Sequence, residues 1–384
     1  METNHVFAAP RPVNGKATSS FEPSQKVDLP TPTGKAPFRL DIKKILPALD
    51  ETITKMVFHT VGDTGGIVNG VPQTITASKM EDDLSSGNKP SFFYHLGDVA
   101  YYNAEDDHFY EQFFKSYENY MAPILAIAGN HDSSWGTAGT PKSWNLDNFM
   151  KVFCEKTPGP VDLSRDVPRT AMIQPNVYWT LQTPLANFIG LYTNNGETEG
   201  YVNDVQAQWF YSELKNAQIE ADKKAIIVAL HHPPYSVDND HGASRDMKKF
   251  LQAAFEDTGV YPDIILSGHV HNYQRFTVSL GDRKVPVIVT GGGGYYNLSY
   301  VGVKNGGPVN VPNSTFYADA VLENYNQDRH GFLKITIDIS NNKRLLSGEY
   351  FTVPRPQESW SAPAAREDYF ITDLDAHTVK NMAS

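Results

Sequence analysis

Two aspartates follow glycines just past apolar runs: Gly62-Asp63 after KMVFHTV and Gly97-Asp98 after SFFYHL. A third apolar run stops in Gly129-Asn130-His131-Asp132, a fourth in His231-His232-Pro233-Pro234, and a fifth in Ser267-Gly268-His269-Val270-His271. Carboxylate, amide and imidazole groups are hard oxygen and nitrogen donors, a set suited to a pair of transition-metal ions bridged by a carboxylate. Each cluster also has a local explanation. Asp98 can cap a turn, and Asn-His-Asp can be a turn of its own. His269 and His271 point the same way in an extended segment, as a ligand pair or as an ordinary surface turn. The argument lies in the coincidence of five. Strand ends of one parallel layer converge on one edge, where open α/β sheets place their ligands, so the five clusters are expected to share a cleft.

The elements that must position these residues can be read from pattern. Residues 91–96 form an apolar, aromatic run of the kind covered on both faces, and Gly97 lets the backbone turn where it stops. A polar helix over 74–84 between the first two strands gives a β-α-β order, hence parallel strands with a right-handed crossover. Residues 106–117 carry Phe109, Tyr110, Phe113, Phe114 and Tyr117 at spacings of three and four, a core-facing helix rather than a binding box. Further strands are expected at 124–128, 225–230, 264–266 and 285–290, a hairpin at 177–182 and 187–192, and helices at 204–217 and 244–255. Asn203 and Gln206 resemble a capping box for the first of these helices. The run Gly291 to Gly294 has no following Lys-Ser/Thr, which argues against a P-loop. A closing hairpin is expected at 332–339 and 345–351. Residues 1–50 read as an extended arm, 51–353 as the catalytic domain, 133–175 as a long surface excursion near the site, and 354–384 as a peripheral tail.

Composition narrows the function classes. The 384 residues are 40% hydrophobic and 20% charged, with 25 Pro and 28 Gly, as in a globular protein with many ordered loops. The net charge is −11, from 33 basic and 44 acidic residues, which disfavours nucleic acid and anionic membranes as partners. An anionic substrate must then be drawn by local charge, such as a bound metal. No apolar run reaches the length of a bilayer span. The single Cys154 excludes an intrachain disulfide framework and a cysteine-based zinc site. No secretory h-region is visible in the N-terminal arm.

The strings GDTG, GDVAY, GNHD, VALH and GHVH, in this order, resemble the five-motif signature of the calcineurin-like metallophosphoesterase superfamily in its purple acid phosphatase form. The resemblance runs from about Val57 to about Arg275 and more loosely to Tyr350. It implies an α/β fold, a two-sheet β-sandwich flanked by helices. It implies that Asp63, Tyr101 and His271 hold a first metal, that Asn130, His231 and His269 hold a second, and that Asp98 bridges them. The wider superfamily has Asp-x-His in its first motif; here Gly65 stands at that third position and Tyr101 replaces the missing ligand. A phenolate favours Fe(III) at the first position, with Zn, Fe(II) or Mn at the second. The implied reaction is hydrolysis of phosphate monoesters of small molecules by a metal-bound hydroxide attacking phosphorus in line. A phosphodiesterase or nucleotidase on the same site is the alternative, and a non-catalytic metal-binding scaffold a further one. His241, followed by Gly242, matches a proton-donating histidine of the family. His131 is a second candidate, able to bind a phosphate oxygen with Asp132 orienting it. His232 stands beside the site as a rim histidine or a substrate contact. A secreted or periplasmic location goes with the resemblance.

Overall fold

The structure, a computed structural model, describes residues 29–135, 144–194, 200–302 and 308–382. The strands are β1 (Arg39–Asp41), β2 (Lys55–Val61), β3 (Phe92–His95), β4 (Ile124–Ala126), β5 (Ser134–Trp135), β6 (Trp144–Asn145), β7 (Trp179–Gln182), β8 (Ala186–Gly190) and β9 (Ala225–Leu230). They continue with β10 (Ile264–Ser267), β11 (Tyr273–Leu280), β12 (Arg283–Thr290), β13 (Ala320–Asn326), β14 (Gly331–Asp338), β15 (Leu345–Thr352), β16 (Ala365–Asp373) and β17 (Thr378–Asn381). Helices are α1 (Val71–Asp83), α2 (Asp106–Phe109), α3 (Asp147–Phe153), α4 (Asp204–Gln218) and α5 (Arg245–Thr258). Among the described residues no helix is long and apolar enough to cross a membrane.

Two large sheets form. One runs β1-β7-β8-β9-β10-β12-β11-β13 and the other β17-β16-β15-β14-β2-β3-β4. Alternation along the strands assigns each side chain its face. Phe58, Phe92 and Tyr94 of the second sheet turn inward onto Phe188 of the first, with ring centroids 4.9, 5.8 and 5.2 Å apart. Phe93, one residue out of phase, joins the outer cluster with Ile75 of α1 and with Phe113 and Tyr117. Ile226 and Val228 of β9 likewise meet Phe210 of α4 and Phe255 of α5 on the far side. The result is the expected two-sheet sandwich with helices outside.

Several elements differ from the sequence expectation. The strands that end in the five clusters belong to two sheets, not one layer: β2, β3 and β4 are parallel neighbours in one, β8, β9, β10 and β12 in the other. Residues 106–117 begin as α2 and widen into a π-turn over Tyr110–Phe114, while Phe109, Phe113, Phe114 and Tyr117 are buried as expected. The tail is not peripheral. Its β16 pairs with β15 along its length, and Asp368 accepts from Arg275 of the opposite sheet at 2.6 and 2.9 Å and from the Tyr273 hydroxyl at 2.7 Å. In the N-terminal arm, residues 1–28 lie outside the described residues, and Arg39–Asp41 add an edge strand to β7. The excursion at 133–175 holds α3, and 136–143 within it lie outside the described residues. Its Gln174 side chain closes both backbone groups of Ala126 on edge strand β4 at 2.8 Å each. Asn203 caps α4 by accepting from the Gln206 N–H, but the Gln206 side chain bonds the backbone of Tyr192 instead of completing the box.

Candidate metal centre

The chain turns sharply where each strand ends, because the next residues must come close together. Gly97 has φ +94°, and a Cβ on it would lie 2.7 Å from both the Gly129 nitrogen and His231 Nδ1. Asp63, Asp98 and His269 have φ of 56°, 54° and 70°, a left-handed conformation costly for residues with a side chain. Hydrogen bonds between the turns hold them there. The N–H of Asp63 donates to Gly97 O at 2.9 Å, and that of Thr64 to Asp98 O at 3.2 Å. The His269 N–H donates to the Asp63 carboxylate at 2.7 Å, and the His131 N–H to that of Asp98 at 2.8 Å.

Two groups of donor atoms result. In the first, the Tyr101 hydroxyl donates to Asp63 Oδ1 at 3.1 Å and lies 3.3 Å from His271 Nε2, which is 3.6 Å from Asp63 Oδ1. In the second, Asn130 Oδ1 lies 3.1 Å from His231 Nε2 and 3.0 Å from His269 Nδ1. Asp98 stands between them, with Oδ1 3.4 Å from His231 Nε2 and a carboxylate oxygen within 4.8 Å of one of Asp63. His231 is oriented by Leu96 O, 2.8 Å from Nδ1, which leaves Nε2 facing the cluster.

Electrostatics fit a cation in this space. Asp63 and Asp98 are buried, and among the described residues their ion-pair partners are histidines, with no lysine or arginine. Burial alone would lower the His231 pKa, but the charges of Asp98 and Asp63 outweigh it and push it up to about 9, so a proton takes the place a cation would fill. Burial and neighbouring histidines lower His269, and burial lowers His271; both favour the neutral imidazole that ligates metal. Burial, with Asp63 and Asp98 adding to it, raises Tyr101 well above the usual phenol range, so its phenolate form calls for a cation beside it. Single ligand atoms of Asp63, Asp98 and His231 all lie within 4.8 Å of one another, a group that can hold a metal ion.

A family model described as calcineurin-like phosphoesterase matches residues 56–273, which include every strand end of the cluster. The chain belongs to the calcineurin-like phosphoesterase family. Purple acid phosphatase 1 of Ipomoea batatas is 26% identical over 226 residues, 57% of this chain and 42% of that protein. The chain therefore spans less than half the length of that curated relative. Two solved structures share the fold. "GAP50 the anchor in the inner membrane complex of Plasmodium" superposes with a TM-score of 0.51 at 16% identity, over 78% of this chain and 85% of that one. "Structure of PhoD" gives 0.50 at 11% identity, over 93% and 73%.

Around these two donor groups, the remaining sequence candidates divide. His131 stands at its edge with its ring 4.4 Å from Tyr101. Tyr102 O orients it, 2.8 Å from Nδ1, and Asp132 does not. The Asp132 carboxylate instead accepts the N–H groups of Asp98, Val99 and Gly129 at 2.8 Å each, tying the second and third motifs together. His241 reaches the centre from its loop, its ring 4.9 Å from those of His269 and His271 and its side chain 31% exposed. His232 is not at the rim. It is buried, bonded through Nδ1 to Thr193 Oγ1 at 2.8 Å, and its ring backs His269 at 4.4 Å, so it offers no surface to a substrate.

Two supporting residues carry no signal among the strand-end clusters. Asp238 is buried and accepts the N–H groups of Asp240 and His241 at 2.8 and 2.6 Å, with His241 Nδ1 3.7 Å away. Against the lowering effect of burial, this carboxylate raises the His241 pKa. An aspartate three residues before a loop histidine is an Asx-turn signal that could have marked it. His95 accepts the Gly97 N–H at 3.1 Å and bonds Thr64 Oγ1 at 2.8 Å, joining the first two motifs; burial pushes its pKa down to about 3 and keeps it neutral.

Proposed function

We propose that this chain hydrolyses phosphate monoesters at a two-metal centre. The observation that supports this most is the division of the donor atoms into two groups of three with Asp98 between them. In this reading Asp63, Tyr101 and His271 would hold one ion, Asn130, His231 and His269 the other, and Asp98 would contact both. The Tyr101 phenolate favours Fe(III) in its group, and the imidazole-rich group suits Zn, Fe(II) or Mn. Two such cations, when bound, acidify a coordinated water and neutralise phosphate oxygens. His131, with Nδ1 committed to Tyr102 O, would have Nε2 left to bind a phosphate oxygen. His241 lies over His269 and His271 with Asp238 at its back, placed to give a proton to the departing alcohol.

The test is a substrate panel on metal-loaded protein: nitrophenyl phosphate, bis(nitrophenyl) phosphate and glycerol 3-phosphate. Monoesters are expected to be preferred by about tenfold or more in kcat/KM, a difference of at least about 1.4 kcal/mol. Diester preference would replace the reading with a phosphodiesterase, and full metal occupancy without turnover would leave a scaffold.

A further inference from the structure

Four tyrosines from two distant segments meet at the mouth of the metal centre. Tyr295 is fixed there by its backbone N–H, which donates to Asp63 O at 2.9 Å. Its ring lies between Tyr101, at 4.4 Å, and His271, at 4.3 Å. Tyr296 extends the row, 4.9 Å from Tyr295. Tyr102 closes it on the other side, 6.4 Å from Tyr101 and 6.2 Å from His131. Tyr102 is 38% exposed, and Tyr296 is half-buried.

Packing does not account for this collar, since Tyr102 and Tyr296 are not in the core. The collar adjoins His131 on one side and, through His271, His241 on the other, so it borders both groups expected to handle phosphate and leaving alcohol. A flat, polarisable ring stacks on such a surface, whereas a small aliphatic alcohol gains little from it. Resting on the phosphoesterase reading, we propose that the Tyr102–Tyr296 collar selects phosphate monoesters whose alcohol carries a planar aromatic ring, as a nucleoside does.

Adenosine 5′-monophosphate and glycerol 3-phosphate both release primary alkoxides, so comparing them isolates the ring from leaving-group basicity. The wild-type kcat/KM ratio is expected to favour the nucleotide by about tenfold or more, the scale of one stacked base. In Tyr102→Ala and Tyr296→Ala the ratio falls to within about threefold of unity, and in the corresponding Phe variants it is retained, because the ring and not the hydroxyl stacks. A wild-type ratio near one, or Ala variants that lower both substrates equally, overturns the proposal while leaving the hydrolase intact. Wild-type protein inactive on both esters contradicts the hydrolase instead. Saturation-transfer NMR with adenosine then still decides the collar: transfer in wild type that is lost in the Ala variants supports it, and no transfer in wild type overturns it.

Discussion

A Cβ on Gly65 would lie 2.7 Å from Cδ2 of Tyr101 and also strike Gln112 Oε1. The tyrosine ring thus fills the room that a side chain at the first motif's third position needs. Gln112 fixes it there, accepting the Tyr101 N–H at 2.8 Å and donating to Tyr101 O at 2.6 Å. The glycine therefore makes the room that the tyrosine ring occupies.

Iron-loaded, oxidised protein is therefore expected to show a visible phenolate-to-iron absorption band. Tyr101→Phe should abolish it, and Gly65→Ala should weaken it by displacing the ring, with overpacking costing about 1–3 kcal/mol of stability. Absorption spectra with urea unfolding check both. A band that survives Tyr101→Phe contradicts the placement, and a colourless, active enzyme holding zinc or manganese alone removes the iron.

His241 and Asp238 should act as a pair on the leaving alcohol. A nitrophenolate departs without help, whereas an alkoxide needs a proton, so His241→Ala is expected to lower kcat on the order of 10²-fold for glycerol 3-phosphate and clearly less for nitrophenyl phosphate. Asp238→Ala should show the same substrate dependence at smaller amplitude, because it loosens the histidine rather than removing it. Metal content stays unchanged in both. Equal losses on the two esters would point to phosphate binding, and the same pattern in His131→Ala would move the acid to that residue.

How far the site is legible in sequence depends on where its residues stand. Strand-end clusters such as Gly97-Asp98 and His269-Val270-His271 break an apolar run abruptly, and that break is visible in the order of residues. Which sheet a strand joins is not: the runs before Asn130 and His231 look alike, and only long-range pairing separates them. Strand β11 is hidden because Arg275 interrupts its apolar alternation, and its partner Asp368 lies 93 residues away. The tail is hidden for the same reason, since charged Arg366, Glu367 and Asp368 disguise a strand whose alternate residues are buried. Asp132 acts through backbone N–H groups, which no side-chain pattern reveals, and Asp238 leaves only the local signal of an Asx-turn.

The buried Arg275–Asp368 pair makes the tail structural. Removing one partner leaves the other charge buried, so Asp368→Ala is expected to cost about 3–5 kcal/mol. Adding Arg275→Met should recover much of that loss. Urea unfolding of both variants checks it; a single variant as stable as wild type would contradict the role given to the strand.

The most direct measurement is metal stoichiometry and monoester turnover on the same samples of wild type and Asp98→Ala. Because Asp98 stands between the two donor groups, wild type should carry two ions per chain and the variant at most one, with turnover falling by about 10³-fold or more, as for loss of a principal electrostatic contact. Two ions retained in Asp98→Ala with near-normal turnover would contradict the two-metal centre.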